Sequence, residues 1–284
     1  MRTDILEHEG LTLGLLTAGD PARPAIVLLH GWPHDKQLYA PVVDTLAAAG
    51  HWVLAFDLPA IGDSRGAPPS AEKAVLADIL IGAAERAGAR AMVVAGLDVG
   101  GMIAYAAARD HGQRIAGAVV MNTVVPAIDP WDTVLADPRI WHFAFHALPE
   151  LPELLVAGHQ RAYFDFFTNF LAGKKEAVTD DYRAAFARAY ERPEALKAGF
   201  DWYRALQADA RHNSRHKAIE TPMLYLRGDA DGRSPEDYLP SLKAMGAKHL
   251  KGEVLRGSGE FAPLEVPEAF TRAITSFAKE CQAG

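Results

Sequence analysis

The sequence predicts an α/β fold in which a mostly parallel sheet is flanked by helices and carries one helical insertion. Short apolar runs alternate with stretches of helical spacing along most of the chain, as in successive strand-helix-strand units. This alternation stops between residues 126 and 216 and then resumes. We therefore expect a core formed by residues 1–125 and 217–284, with residues 126–216 inserted as a helical cap above the strand ends.

The predicted strands are apolar runs without polar alternation, which is typical of parallel strands buried on both faces. They lie at residues 24–30, 52–57, 91–97, 117–122, 223–228 and 249–256. Helical spacing occurs between them, at residues 39–49, 71–87, 102–110 and 267–279. The inserted segment is polar and aromatic with helical periodicity, and the strand pattern resumes at 221–228, so the insertion lies within one domain.

Composition restricts the partners and the compartment. The 284 residues carry a formal net charge of -7, and the basic residues are scattered, which argues against nucleic acid. No window approaches the roughly 18 consecutive apolar residues of a membrane span. The single cysteine, Cys281, cannot pair within the chain, which fits a reducing compartment. We expect a cytoplasmic protein that needs no membrane, and a homodimer stays open as an alternative.

A turn of special form follows the third predicted strand. Gly96-Leu97-Asp98-Val99-Gly100 has a glycine two positions to each side of a central residue with a reactive side chain. Such a turn forces strain on the central residue and leaves no room for neighbouring side chains. The side chain then projects at a helix N-terminus, which favours an anion. The alternative is that Asp98 only caps the helix.

Two further motifs identify a family. His30-Gly31-Trp32-Pro33 follows one predicted strand and Asp57-Leu-Pro-Ala-Ile-Gly-Asp-Ser64 follows the next. Together with the turn at Asp98, they resemble the α/β-hydrolase family over most of the chain. The resemblance implies an eight-stranded, mostly parallel sheet, a nucleophile at Asp98 and no cofactor or metal. It also implies an oxyanion hole made by the backbone N–H groups of Trp32 and Val99.

An aspartate nucleophile points to one branch of that family. It attacks a saturated or epoxide carbon to form an alkyl ester, as in epoxide hydrolases and dehalogenases. Haloalkane dehalogenases have Trp after the nucleophile and fluoroacetate dehalogenases have Arg, whereas this chain has Val99. An epoxide or another small molecule with an electrophilic carbon is therefore the expected substrate, and a haloacid or haloalkane dehalogenase is the alternative.

Two aromatic segments of the insertion resemble those that carry ring-opening residues in epoxide hydrolases. They are Trp141-His142-Phe143-Ala144-Phe145 and Phe200-Asp201-Trp202-Tyr203. The resemblance makes Tyr203 and His142 the donors to the epoxide oxygen, which is a poor leaving group until protonated. Plain packing is the alternative for both. The residues expected to line the pocket are His30, Trp141, Trp202 and Phe261.

The chain departs from the family at the position of the catalytic base. Glu260, between Gly259 and Phe261, stands where relatives have histidine. Asp231 is the expected acidic partner of the base, and Asp229 is the second candidate. Three alternatives follow: Glu260 is itself the base, the chain is a stalled natural or engineered variant, or it is a binding protein or performs a non-hydrolytic reaction. Three carboxylates in one cavity should raise the pKa of at least one of them.

Overall fold

An eight-stranded sheet forms the centre of the computed structural model, which describes residues 1–283. The strand order is β1-β2-β4-β3-β5-β6-β7-β8. β1 is antiparallel to β2 and β2 is antiparallel to β4, whereas the six strands β3 to β8 are parallel to one another. The strands are β1 Arg2–His8, β2 Leu11–Ala18, β3 Ala25–Leu29, β4 Trp52–Phe56, β5 Val93–Leu97, β6 Gly117–Met121, β7 Met223–Gly228 and β8 Leu250–Leu255.

Helices cover both faces of this sheet. One face packs against α2 and α3, and the other against α1 and α13, so two apolar layers sandwich the strands. The helices are α1 Ala40–Ala48, α2 Lys73–Arg86, α3 Val99–Asp110, α4 Trp131–Leu135, α5 His142–His146, α6 Leu151–Val156, α7 Gln160–Leu171, α8 Asp180–Ala189, α9 Pro193–Arg204, α10 Leu206–Asn213, α11 Leu239–Ala244, α12 Ala262–Glu265 and α13 Pro267–Ala283. Short 3₁₀ helices occur at Lys36–Tyr39, Pro138–Ile140, Lys175–Ala177 and Pro235–Asp237.

The predicted fold class is confirmed, and the apolar runs predict the six strands from β3 to β8 to within two residues at each end. They did not predict the hairpin of β1 and β2. β1 is an edge strand whose residues are exposed or only half-buried, so it lacks the apolar run that marks a strand buried on both faces. Among residues 1–283, no helix combines the length and apolar character that crossing a bilayer requires.

The chain between β6 and β7 forms helices α4 to α10. Their aromatic side chains share one apolar core with the strands and with α2 and α3. The ring of Tyr203 from α9 lies 6.1 Å from that of Trp32, which follows β3. This helical insertion therefore covers the carboxyl ends of the central strands, where ligands bind in open α/β sheets.

Candidate active site

Asp98 occupies a strained turn between β5 and α3. Its backbone dihedral angles are φ 54° and ψ -121°, a conformation that residues other than glycine rarely adopt. A Cβ on Gly96 would lie 1.9 Å from the Gly100 carbonyl oxygen, and one on Gly100 would lie 2.1 Å from the Leu29 carbonyl oxygen. Both glycines are thus required by close packing, and the turn aims Asp98 away from the sheet.

Backbone N–H groups surround the Asp98 carboxylate. The N–H of Trp32 donates to its Oδ2 at 2.8 Å, and the N–H of Val99 also stabilises the anion. Burial raises the pKa of Asp98 to about 6, and these two donors together with Lys73 oppose the rise. At neutral pH the carboxylate is therefore ionised in spite of its burial.

Lys73 is the cation whose charge acts on Asp98 and lowers the pKa of its carboxyl group. Its ammonium lies 2.8 Å from the carboxylate of Asp209 and donates to the carbonyl oxygen of Trp202. The side chain is buried, and it joins the start of α2 in the core to α9 and α10 of the insertion. This ion pair therefore links α2 of the core to α10 of the insertion.

A cavity of about 120 Å³ lies above Asp98. Its wall combines residues that follow strands β3, β5, β6, β7 and β8 with residues of the insertion. Among them are six of the predicted catalytic or oxyanion-hole residues and two arginines: Trp32, Asp98, His142, Tyr203, Asp231, Glu260, Arg227 and Arg233.

Tyr203 and His142 face this cavity from the insertion. Their rings are 5.9 Å apart, and both side chains line the cavity above Asp98. Burial, followed by the charge of Asp98, raises the pKa of Tyr203 well above its usual value. Burial lowers the pKa of His142 to about 3. Both side chains are thus neutral, so each can donate one hydrogen bond to an oxygen in the cavity.

Glu260 lies in the loop between β8 and α12, which distant residues hold in place. Glu265 accepts hydrogen bonds from the N–H groups of Gly259 (2.9 Å), Phe261 (2.9 Å) and Lys174 (2.8 Å). The side chain of Asn122, after β6, donates to the carbonyl oxygen of Gly259 at 2.9 Å. The backbone around Glu260 is therefore fixed, although the contacts come from three separate parts of the chain.

The carboxyl group of Glu260 is poorly solvated. Its Oε1 is buried without a hydrogen-bond partner among the described residues. Burial raises the pKa of Glu260 well above its usual value, the charge of Asp98 raises it further, and the charge of Arg227 opposes this. Since Asp98 has two N–H donors and Glu260 Oε1 has none, the proton of this pair resides on Glu260 in the free protein.

Neither candidate acid contacts the Glu260 side chain through a hydrogen bond. Asp231 accepts from the guanidinium of Arg227 and, at 3.1 Å, from the N–H of Arg233, and its side chain is 47% exposed. Asp229 accepts from the N–H of Gly257 at 2.7 Å. Asp231 therefore pairs with Arg227 and not with Glu260.

Four residues expected to line the pocket lie outside the wall of the cavity. The Nε2 of His30 accepts from the N–H of Leu58 at 3.0 Å, which turns its ring into the core. Trp202 is buried in the core, and its ring lies 6.3 Å from that of His30. Phe261 is fully buried against the ring of His34. Trp141 lies on the outer surface of the insertion and is 43% exposed.

Sequence reasoning missed Arg227, Arg233, Asn122 and Lys73. Arg227 had a signal, because an arginine at the end of an otherwise apolar strand must find a partner when it is buried. Asn122 had no such signal, yet its amide bridges β7 and the Glu260 loop through Gly228 and Gly259. Lys73 resembled an ordinary solvated residue of a helix start and had no such signal.

Comparison with known proteins agrees with this architecture. A model of the α/β-hydrolase fold family matches residues 24–267. The soluble epoxide hydrolase of Corynebacterium sp. (strain C12) is 25% identical over 94% of this chain and 95% of its own. Epoxide hydrolase 4 of Mus musculus is 23% identical over 97% of this chain and 78% of its own.

Solved structures show the same fold. Cfl2 from Burkholderia cenocepacia has a TM-score of 0.85 and 26% identity, covering 97% of this chain and 95% of that chain. A protein from Nostoc sp. PCC 7120 described as a putative α/β hydrolase has a TM-score of 0.87 at 24% identity, covering 99% and 98%. The chain therefore belongs to the α/β-hydrolase fold family and is similar, over nearly its whole length, to the epoxide hydrolases within it.

Proposed function

We propose that the protein hydrolyses epoxides through an alkyl ester on Asp98, with Glu260 carrying the proton that a histidine carries in relatives. One observation supports this most strongly: Asp98, Tyr203, His142 and Glu260 line the same cavity, and the N–H of Trp32 donates to Asp98. The likeness to two proteins named as epoxide hydrolases is consistent with it.

The first step opens the epoxide ring. A carboxylate oxygen of Asp98 forms a bond to one epoxide carbon while the bond between that carbon and the ring oxygen breaks. Tyr203 and His142 donate hydrogen bonds to the ring oxygen as its negative charge grows. Because the pKa of Tyr203 is raised, a lasting tyrosinate is unfavourable, and the proton that finally stays on this oxygen comes from another group.

Glu260 supplies that proton. While Asp98 is ionised, its charge helps to keep Glu260 protonated. Ester formation neutralises Asp98, so the pKa of Glu260 falls, and the cation of Arg227 favours the carboxylate that results. The proton passes to the alkoxide, through Tyr203 or water, and Glu260 becomes a base at the stage when a base is required.

The second step releases the diol. Water attacks the ester carbonyl carbon of Asp98 and gives one proton to Glu260, and the N–H groups of Trp32 and Val99 stabilise the oxyanion. The ester bond breaks, its alkoxide takes the remaining proton of the water, and Asp98 is again a carboxylate. One epoxide and one water have then become one diol, and both carboxyl groups have their starting charges.

Intact-protein mass spectrometry with styrene oxide tests this proposal. We expect a covalent adduct of one substrate on the wild-type protein, located at Asp98 by peptide mapping, and diol in the medium. A protein that yields neither adduct nor diol with styrene oxide or epibromohydrin contradicts it. An adduct on a different residue also contradicts it.

A further inference from the structure

A second cavity of about 340 Å³ adjoins the cavity above Asp98, and we refer to it as the vestibule. Several residues belong to the walls of both cavities, so the vestibule leads to the cavity above Asp98. The shared residues are Asn122, Ile140, Leu171, Arg227, Asp231, Arg233 and Glu260. Two guanidinium groups thus lie at the junction between the approach and the reaction chamber.

Both guanidinium groups keep unused hydrogen-bond donors. Arg227 is 7% exposed, donates a hydrogen bond to Asp231 and lies 4.9 Å from the centre of the Tyr238 ring, and its Nε is buried without a partner among residues 1–283. The guanidinium of Arg233, a side chain that is 28% exposed, lies 3.5 Å from Asp137. A buried arginine such as Arg227 normally has its fork of donors satisfied, so a missing acceptor is indicated there.

The charges of the vestibule point to an anion. Three arginines line it, and two aspartates, Asp137 and Asp231, form ion pairs with them. Asp137 is engaged mainly by Arg139, which makes hydrogen bonds to both of its carboxylate oxygens. Arg227 lines both cavities, and its Nε is buried without a partner among residues 1–283. An acceptor with negative charge is the ligand that fits this donor.

We propose that Arg227 and Arg233 form a subsite for a carboxylate of the substrate, so that the natural substrate is an epoxide bearing an acid group. A planar carboxylate matches the donor fork of arginine in shape and charge. The substrate class, unlike the subsite, rests on the proposed function.

Binding measurements test the subsite without relying on turnover. Oxirane-2-carboxylate and its neutral amide, oxirane-2-carboxamide, have the same shape and differ in charge. Isothermal titration of both into the Asp98→Asn variant, which lacks the nucleophile, gives their ratio of dissociation constants. Adding Arg233→Gln removes part of the subsite, and adding Arg272→Gln, an exposed residue on α13, makes the same charge change elsewhere.

We expect the carboxylate to bind about tenfold or more tightly than the amide, as a charge-assisted hydrogen bond implies. Arg233→Gln should abolish most of this preference, and Arg272→Gln should leave it intact. Equal binding of the two compounds, or a preference that survives Arg233→Gln, overturns the subsite. If the preference is present but neither compound forms an adduct on the wild-type protein, the subsite stands and the ester mechanism fails.

Discussion

Two loops carry the two carboxyl groups of the site, and they are built differently. The turn at Asp98 is fixed by close packing of backbone, through the dihedral angles of one residue and two glycines, of which Gly100 packs against Leu29. The loop of Glu260 is fixed by hydrogen bonds with Glu265, Asn122 and the carbonyl oxygen of Leu171, which accepts from the Glu260 N–H at 3.0 Å. One position is set by backbone packing, and the other is set mainly by hydrogen bonds of side chains.

The two loops also favour different charge states of their carboxyl groups. Asp98 receives N–H donors from Trp32 and Val99, which favour its ionised form. Glu260 receives no donor at Oε1, which favours its protonated form. In the proposed mechanism, the same kind of side chain serves as nucleophile in one loop and as proton carrier in the other, because the surroundings separate their pKa values.

The largest expected effect follows from removing the nucleophile. Asp98→Asn keeps the size of the side chain and an acceptor for the Trp32 N–H, but it cannot form the alkyl ester. We expect the rate of adduct and diol formation to fall by about 10⁴-fold or more. Intact mass and diol analysis after incubation with styrene oxide measure both, and diol formation at an undiminished rate would contradict the assignment.

Glu260→Gln should separate the two steps. The amide cannot accept the proton of water, so hydrolysis of the ester should slow by about 10²–10⁴-fold, the usual cost of a lost base. Ester formation should fall less, and the adduct should accumulate. Time-resolved mass spectrometry distinguishes the two rates. Glu260→His is the matched variant that restores a base, and full turnover in Glu260→Gln would refute the role of Glu260.

Gly100→Ala tests whether the turn depends on close packing. The added Cβ would lie 2.1 Å from the Leu29 carbonyl oxygen, and backbone must move to relieve it. We expect the free energy of unfolding to drop by about 3 kcal/mol or more. In the control Gly88→Ala, the Cβ meets nothing within 4 Å and only the positive φ is unfavourable, at about 1–2 kcal/mol. Denaturant unfolding that gives equal losses would contradict the packing argument.

Glu265→Gln tests the loop in the same manner. A carboxylate that accepts from three N–H groups becomes an amide with a single acceptor oxygen. We expect a loss of about 1–3 kcal/mol in unfolding free energy, with ester hydrolysis slowed and ester formation unchanged. Glu268→Gln, an exposed neighbour, is the control. A slower ester formation in Glu265→Gln would mean that the loop also supports Asp98.

The smallest effect is the pH dependence of ester formation. Asp98 attacks as a carboxylate, and its pKa is about 6. The rate should therefore be highest above this pH and should fall as pH drops through about 6, approaching tenfold per pH unit in acid. Single-turnover measurements give this profile. A rate that rises toward acid pH would mean that the protonated form of the site reacts.

Sequence reasoning reached the fold and the turn of Asp98 because both depend on local patterns. Buried parallel strands show as apolar runs, and a turn with two required glycines shows as a motif of five residues. The functional roles given to Tyr203 and His142 remain predictions, although both side chains face the cavity. Here the resemblance to a family supplied what periodicity does not.

The remaining parts of the site depend on which distant residues meet. The pairing of Arg227 with Asp231 follows from the geometry of the loop after β7. The contact of Lys73 with Asp209 joins helices 136 positions apart along the chain. Aromatic residues such as Trp202 and Phe261 look alike in sequence whether they line a cavity or fill a core, and here they fill the core.

A single turnover in heavy-oxygen water tests the central claim most directly. With protein in excess over epoxide, water attacks the ester carbonyl carbon, so the heavy oxygen should enter the carboxylate of Asp98 and the first diol should contain none. Peptide mass spectrometry and analysis of the diol measure both products. Heavy oxygen in the first diol, with none in the Asp98 peptide, would mean that water attacks the epoxide directly and that no ester forms.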